Sequence, residues 1–189
     1  GPLHPRTMIS PRMAPQMIGL GLIEAIPSEA ILARADPDDR DGDGISGRAN
    51  QSWSVEHKRL MLGRFGWKAG QPTVLQQSAE AFSGDVGIGT WINPQAWGDC
   101  TALQARCRKA PLGDLEKTPQ EEISAKLLDL VGFYARNLAV PRRRDAASPD
   151  IPAGKQLFHA SGCAACHKPS FTTGDAQLDF VPFGATGVA

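Results

Sequence analysis

Hydrophobic residues recur at helical spacing most clearly between about Pro119 and Leu138. The repeat is carried by Ile123, Leu127, Leu130/Val131, Tyr134 and Leu138. Thr118 and Glu121 form a capping box before this run, and Pro119 takes the first helical position. Pro141 cannot continue a helix. The pattern therefore predicts an amphipathic helix from about 119 to 138.

A second helix is predicted after Pro72. Leu75, Ala79 and Phe82 fall on one helical face of the run that follows this proline. Residues 84–90 contain three glycines and predict a loop.

Short helices are predicted in two further segments, residues 153–162 and residues 17–26. Residues 153–162 carry Leu157 and Phe158 and end in glycine, which favours a helix closed by that glycine. Residues 17–26 are apolar, but their glycines and the following Pro27 allow at most a short helix. Together these patterns predict a mainly α fold with long loops.

Composition narrows the class of protein. A chain of 189 residues with 41% hydrophobic residues can build a core as one ordinary domain or two small ones. Lys+Arg and Asp+Glu are balanced at 20 each, so no overall field favours nucleic acid or an anionic membrane. No run reaches the roughly 18 apolar residues of a membrane span. We expect a soluble protein.

A proline-rich and arginine-rich stretch, residues 141–152, has the composition of a linker. It divides a loop-rich helical region, 1–140, from the segment 153–189.

The strongest chemical motif is the run Cys163-Ala164-Ala165-Cys166-His167. Two thiols at this spacing can be alkylated by the two vinyl groups of a haem, and the histidine that follows can reach the iron. The motif predicts covalent haem c, with Cys163 and Cys166 as anchors and His167 as iron ligand. The segment 153–189 then reads as the start of a cytochrome c-like haem module.

Two other uses of a Cys-x-x-Cys pair stay open, a redox dithiol and half of a zinc site. A zinc site needs a second ligand pair, but Cys100 and Cys107 have six residues between them and lie far upstream. A thioredoxin-type centre follows a strand, whereas this pair follows a predicted helix.

Cys100 and Cys107 are suited to a disulfide across a short loop, with two free thiols as the alternative. Bacterial haem c is attached after export, so we expect a periplasmic protein in an oxidising compartment.

Three carboxylates alternate along one acidic loop. Asp39, Asp41 and Asp43 precede Gly44, as in the first half of a calcium-binding loop. The position of the final bidentate glutamate is occupied by Asn50, and a solvated acidic turn is the alternative. Calcium is the metal this pattern favours.

Residues 62–70 are rich in glycine, aromatic and basic side chains. Trp67 is a candidate electron relay, although a structural tryptophan is the commoner case. Arg64 or Lys68 could pair with haem propionates.

The second axial position of the iron is not assigned by the sequence. No methionine or histidine follows His167, so a sixth ligand from this chain would be His4, His57, His159 or an upstream methionine.

Four separated segments resemble the di-haem oxidoreductase family, also labelled thiol oxidoreductase and related to the di-haem cytochrome c peroxidases. They are residues 19–27, 35–50, 63–69 and 163–167, and the resemblance covers roughly residues 10 to 175. It implies an exported, mostly helical protein with two cytochrome c-like modules, each with its own Cys-x-x-Cys-His. Calcium and a tryptophan between the haems are features of the related enzymes.

This chain carries one such motif, which the resemblance would explain as a fragment of an incomplete di-haem architecture. The leading hypothesis is the haem c-binding, electron-transfer portion of a periplasmic, peroxidase-like oxidoreductase. Its partners would be an electron donor or acceptor protein and a small oxidant such as peroxide. A mono-haem electron carrier and a dithiol oxidoreductase using Cys163 and Cys166 are the alternatives.

Overall fold

The computed structural model describes residues 5, 7–9, 11, 13–95, 97–111, 113 and 121–174. Helices make up most of the regular secondary structure of these residues, in line with the predicted mainly α fold with long loops. The helices are α1 (Leu20–Glu24), α2 (Ser28–Leu32), α3 (Val74–Val86), α4 (Ala105–Arg108), α5 (Ala125–Asn137) and α6 (Asp150–Ala160), followed by a 3₁₀ turn, Cys163–Ala165. Two strands, β1 (Gln51–Ser54) and β2 (Arg59–Leu62), form an antiparallel hairpin.

The core lies where α3 packs against α5, with α1 against both helices. One hydrophobic cluster consists of Leu75, Ala79, Ile92, Ile123 and Leu128. Gly132 of α5 allows this close approach, because a Cβ atom there would lie 2.8 Å from Cδ1 of Leu75.

The helix predicted after Pro72 is confirmed as α3. The hydroxyl of Thr73 caps it by accepting the backbone N–H of Gln76 at 3.1 Å. The helix continues to Val86, so the prediction of a loop was wrong for residues 84–86. It closes at Gly87, whose φ of 68° suits a left-handed C-terminal residue.

The long helix predicted over 119–138 is present but shorter. It begins at Ala125, where Oγ of Ser124 accepts the N–H of Leu127 at 3.3 Å. Thr118 and Pro119 lie outside the described residues, and Glu121 precedes the helix, so the predicted start was wrong. The helix begins after Ser124 because the hydroxyl of this residue accepts the N–H of Leu127, one of the first N–H groups that has no partner within the helix.

The buried face of α5 is not the large hydrophobic stripe. Leu128, Gly132 and Ala135 are buried, whereas Leu127, Leu130 and Tyr134 are 50%, 56% and 61% exposed. The helix therefore turns Leu128, Gly132 and Ala135 to the core and leaves an apolar stripe on its surface.

The β1–β2 hairpin was not predicted. Gln51 pairs with Leu62 and Ser54 with Arg59, and the connecting turn contains Lys58 at a φ of 51°. The side chain of Gln76 ties this hairpin to α3, since its Nε2 donates to the Trp53 carbonyl at 2.9 Å.

The two short helices predicted near the chain ends are also present, as α1 and α6. Helix α6 starts at Asp150, inside the stretch interpreted as a linker, and it contacts mainly the 3₁₀ turn that follows. After that turn the chain returns to α1, because the N–H of Gly174 donates to the Ala25 carbonyl at 2.9 Å. The division into a region 1–140, a linker 141–152 and a module 153–189 stays a prediction.

Within the described ranges, no helix combines the length and the apolar character that crossing a membrane requires.

Candidate functional site

The motif Cys163–His167 forms a compact turn directly after α6. Gly162, with a φ of 80°, reverses the chain at the end of the helix. The backbone N–H of His167 then donates to the Cys163 carbonyl at 2.9 Å. This turn places the imidazole one helical turn from the first thiol.

Both thiols of the motif are exposed, and neither forms a disulfide. Oγ of Ser161 lies 3.4 Å from Sγ of Cys163, within hydrogen-bonding distance of this thiol. The two sulfurs are therefore open to an electrophile that approaches from the surface.

The described residues do not assemble a zinc site around these thiols. In the part of the chain that the structure describes, one group of three candidate ligands converges, and it consists of Asp39, Asp41 and Asp43. Cys163, Cys166 and His167 do not form such a group.

An open cavity of about 480 Å³, the His167 cavity, lies beside the motif. It is lined by Arg143, Ile151, Gly154, Lys155, Phe158, His159, His167 and Pro169. Its volume is in the range of small-molecule and cofactor sites, roughly 300–1,000 Å³. The wall combines apolar side chains with cationic ones.

Phe158 packs against the ring of His167 at this cavity. The two ring centroids are 5.9 Å apart with an interplanar angle of 67°, an edge-to-face arrangement. His159 also packs edge-on against Phe158, at 6.1 Å. Of the candidate sixth ligands, the structure thus places His159 on the wall that His167 lines.

The glycine-rich segment 62–70 forms a tight turn, closed by a β-bridge between Phe65 and Gln71. Trp67 lies on this turn and is 60% exposed. The side-chain amide of Asn50 stabilises the turn by donating to the carbonyls of Lys68 at 3.1 Å and Ala69 at 3.0 Å.

Arg64 does not have the free guanidinium that a propionate partner needs. It donates to the carbonyls of Ile23 at 3.2 Å and Ile26 at 2.7 Å, and to Oγ of Ser28 at 3.0 Å. These bonds satisfy carbonyls at the end of α1 and fix Arg64 in a structural role.

The acidic loop brings its three aspartates together. Carboxylate oxygens of Asp39, Asp41 and Asp43 lie within 4.8 Å of one another. Oδ1 of Asp39 accepts the N–H of Gly44 at 3.0 Å, and Oδ1 of Asp43 accepts the N–H of Ile45 at 2.8 Å. Each of these two carboxylates retains a second oxygen for a cation.

Asp36 closes the acidic loop from the other end. Its Oδ2 accepts the backbone N–H groups of Arg40 at 2.8 Å and Asp41 at 3.2 Å, and its backbone pairs with Gly47. The hydrogen bond from Arg40 is the main reason that the pKa of Asp36 lies below its usual value of 3.8.

The disulfide between Cys100 and Cys107 is present. The guanidinium of Arg108 lies 4.9 Å from the ring centroid of Trp97, next to this loop.

Comparison with protein-family models decides the family. The model described as "Di-haem oxidoreductase, putative peroxidase" matches residues 5–181. The chain belongs to the di-haem oxidoreductase family. Separate comparisons with curated proteins and with solved structures found no match. The resemblance seen in the sequence is therefore confirmed, and the name of the di-haem oxidoreductase family implies a haem cofactor.

Sequence reasoning missed part of the His167 cavity. Ile151, Lys155 and His159 follow one another at four-residue intervals, so helical spacing could have placed them on one face of α6. Arg143 lies just ahead of a turn, and no local pattern marks it as a neighbour of His167.

Proposed function

We propose that this chain is the haem c-binding, electron-transfer portion of a periplasmic, peroxidase-like di-haem oxidoreductase. The observation that carries the proposal is the turn that presents two free, exposed thiols beside an imidazole on the His167 cavity. Membership of the di-haem oxidoreductase family supports the cofactor and the class of reaction.

The residues present fit a covalently attached haem. Cys163 and Cys166 would each add their S–H across one vinyl group, which forms two thioethers and needs no oxidant. His167 would give its ring nitrogen to the iron. Ile151 and Phe158 supply the apolar wall that a porphyrin face requires. In this interpretation, residues 153–189 are the start of a cytochrome c-like module that follows a linker at 141–152.

When bound, the haem would supply one-electron chemistry and a site where peroxide can meet iron. The chain would contribute orientation and polarity. Phe158 restricts rotation of the His167 ring through their edge-to-face contact at 5.9 Å. The apolar wall would limit the access of water to the porphyrin and would thereby influence its reduction potential.

The partners we propose are a protein that donates or accepts electrons and a small oxidant such as peroxide. Trp67 is the proposed relay residue. With 60% of its surface exposed, its indole can touch a partner directly. Trp67→Phe would then slow electron transfer from the partner and leave the haem spectrum unchanged, with the similarly exposed Trp53→Phe as control.

Visible spectroscopy of the haem-loaded chain separates this proposal from its alternatives. An oxidoreductase site has a high-spin component that shifts when cyanide or peroxide is added. A plain electron carrier is low-spin and does not respond to either. A dithiol oxidoreductase has no haem bands, and its intact mass falls by two hydrogens when Cys163 and Cys166 join on oxidation.

We also propose a calcium ion on the acidic loop, held by Asp39, Asp41 and Asp43. The convergence of their oxygens within 4.8 Å supports it, because Ca²⁺ takes several carboxylate oxygens at once. Calcium titration followed by calorimetry tests it. Asp41→Asn would weaken binding at least tenfold, while Asp38→Asn, which changes an exposed neighbour by the same charge, would have little effect. Equal effects of the two variants, or no heat of binding, would contradict a specific site.

A further inference from the structure

The wall of the His167 cavity carries positive charge without a matching negative one. Arg143 and Lys155 line it, and the described residues on this wall include no aspartate or glutamate. Exposed cations gathered on one cavity, with apolar side chains between them, suit a flat apolar ligand that bears carboxylates.

The two cations come from separate segments. Lys155 lies on α6, four residues before His159. Arg143 lies ahead of a turn in which Asp145 has a φ of 46° and the N–H of Ser148 donates to the Asp145 carbonyl at 2.8 Å. That turn leads the chain back into α6, so its geometry sets where Arg143 stands.

The arginine run itself provides a comparison. Arg142, Arg143 and Arg144 are all exposed, yet Arg143 is the member of the run that lines the His167 cavity. If the three arginines served only solubility, we would not expect Arg143 to line a cavity that its two neighbours do not line.

We propose that Arg143 and Lys155 hold the propionate carboxylates of the haem and thereby fix its orientation and its reduction potential. This inference rests on the proposed function. Arginine presents two parallel N–H donors to a carboxylate, and lysine adds a point charge. Arg64, which the sequence first suggests for this role, donates instead to the carbonyls of Ile23 and Ile26 and to Oγ of Ser28.

The consequence is electrostatic. Reduction adds one electron to the haem, and a cation nearby stabilises the reduced form relative to the oxidised form. Loss of Arg143 would therefore lower the midpoint potential. Since the ion pair is formed at the cofactor, salt would screen it less than it screens charges farther out on the surface.

The experiment measures midpoint potentials of the haem-loaded full chain. Arg143→Gln is compared with Arg142→Gln and Arg144→Gln, which remove the same charge from adjacent positions. Arg143→Lys keeps the charge and loses the paired donors, and Lys155→Gln tests the second cation. Far-UV circular dichroism of each variant verifies the fold.

We expect Arg143→Gln to lower the potential by an amount that corresponds to about a tenfold change in the reduction equilibrium, about 59 mV for one electron. Arg143→Lys should lie between this variant and the wild type, and the control variants should shift far less. Equal shifts for all three arginine positions, removed together by high salt, would overturn the inference and leave the proposed function intact. A wild-type chain without haem would instead contradict the proposed function.

Discussion

Glu24 of α1 and Arg136 of α5 lie 112 residues apart in sequence and form an ion pair that joins the two helices. Nε of Arg136 lies 2.6 Å from Oε2 of Glu24, and the glutamate side chain is 6% exposed. The other oxygen of Glu24 accepts the backbone N–H of Val74 at 2.8 Å. One carboxylate thus connects α1 to the start of α3 and to the last turn of α5.

Glu24→Ala should destabilise the protein, because it leaves the buried N–H of Val74 without an acceptor and removes the partner of Arg136. We expect a loss of about 2–3 kcal/mol in the free energy of unfolding, measured by urea denaturation. Glu24→Gln keeps an acceptor and should cost less. Glu29→Gln, at an exposed position, should change stability by less than about 0.5 kcal/mol. An alanine variant as stable as the wild type would show that the connection contributes nothing.

Two glycines should respond to alanine in opposite directions. A Cβ at Gly21 would collide with the carbonyl of Arg136, so Gly21→Ala should push α1 away from α5 and cost about 1–3 kcal/mol. A Cβ at Gly84 of α3 would meet nothing within 4 Å. Gly84→Ala should therefore stabilise the helix by about 0.5–1 kcal/mol. Thermal unfolding of both variants checks the pair, and a change of the same sign in both would contradict the packing.

Removing the Cys100–Cys107 disulfide should lower stability by constraining the unfolded chain less. For a closed loop of this length the expected loss is about 2–3 kcal/mol in the Cys100→Ser, Cys107→Ser double variant. Urea denaturation under non-reducing conditions measures it. A reductant should lower wild-type stability and leave the double variant unchanged. If the reductant affects both proteins alike, the bond is not the cause.

The lowered pKa of Asp36 predicts a stability change in acid. A carboxyl whose pKa is lower in the folded than in the unfolded protein contributes stability above the unfolded value of 3.8, and this contribution is lost as the pH falls through the folded value. NMR titration of the Asp36 carboxyl should therefore give a midpoint below 3.8. Below pH 4 the free energy of unfolding should fall less steeply in Asp36→Asn than in the wild type, because this variant lacks the Asp36 carboxyl. The Asp38→Asn variant keeps that carboxyl and should show the same decline as the wild type. A midpoint at or above 3.8 would contradict the hydrogen bonds from Arg40 and Asp41.

The helices could be predicted from sequence more easily than the faces they bury. Periodicity found α3 and α5, but an amphipathic interpretation of α5 would bury Leu127, Leu130 and Tyr134. The structure buries Leu128, Gly132 and Ala135 instead, and the missing side chain of Gly132 lets Leu75 of α3 approach closely. A helix with apolar residues around most of its surface has no unique core face in its sequence.

The site shows the same limit. Local spacing was enough to propose Cys163, Cys166 and His167 as candidate haem-binding residues, because that chemistry depends on neighbours in sequence. Arg143 comes to the His167 cavity through a turn at Asp145, and that approach is a property of the folded chain. Arg64 shows the opposite case. The sequence suggests that it pairs with haem propionates, but in the folded chain its guanidinium donates to the carbonyls of Ile23 and Ile26, which are distant in sequence.

We propose that Cys163 and Cys166 carry haem through two thioether bonds. The intact mass of the denatured chain, after expression in a host that ligates haem c, tests for these bonds. We predict a mass equal to the polypeptide plus one haem, retained after unfolding, and loss of that stable attachment in Cys163→Ala with Cys166→Ala. A denatured wild-type chain at the mass of the polypeptide alone would contradict covalent haem attachment.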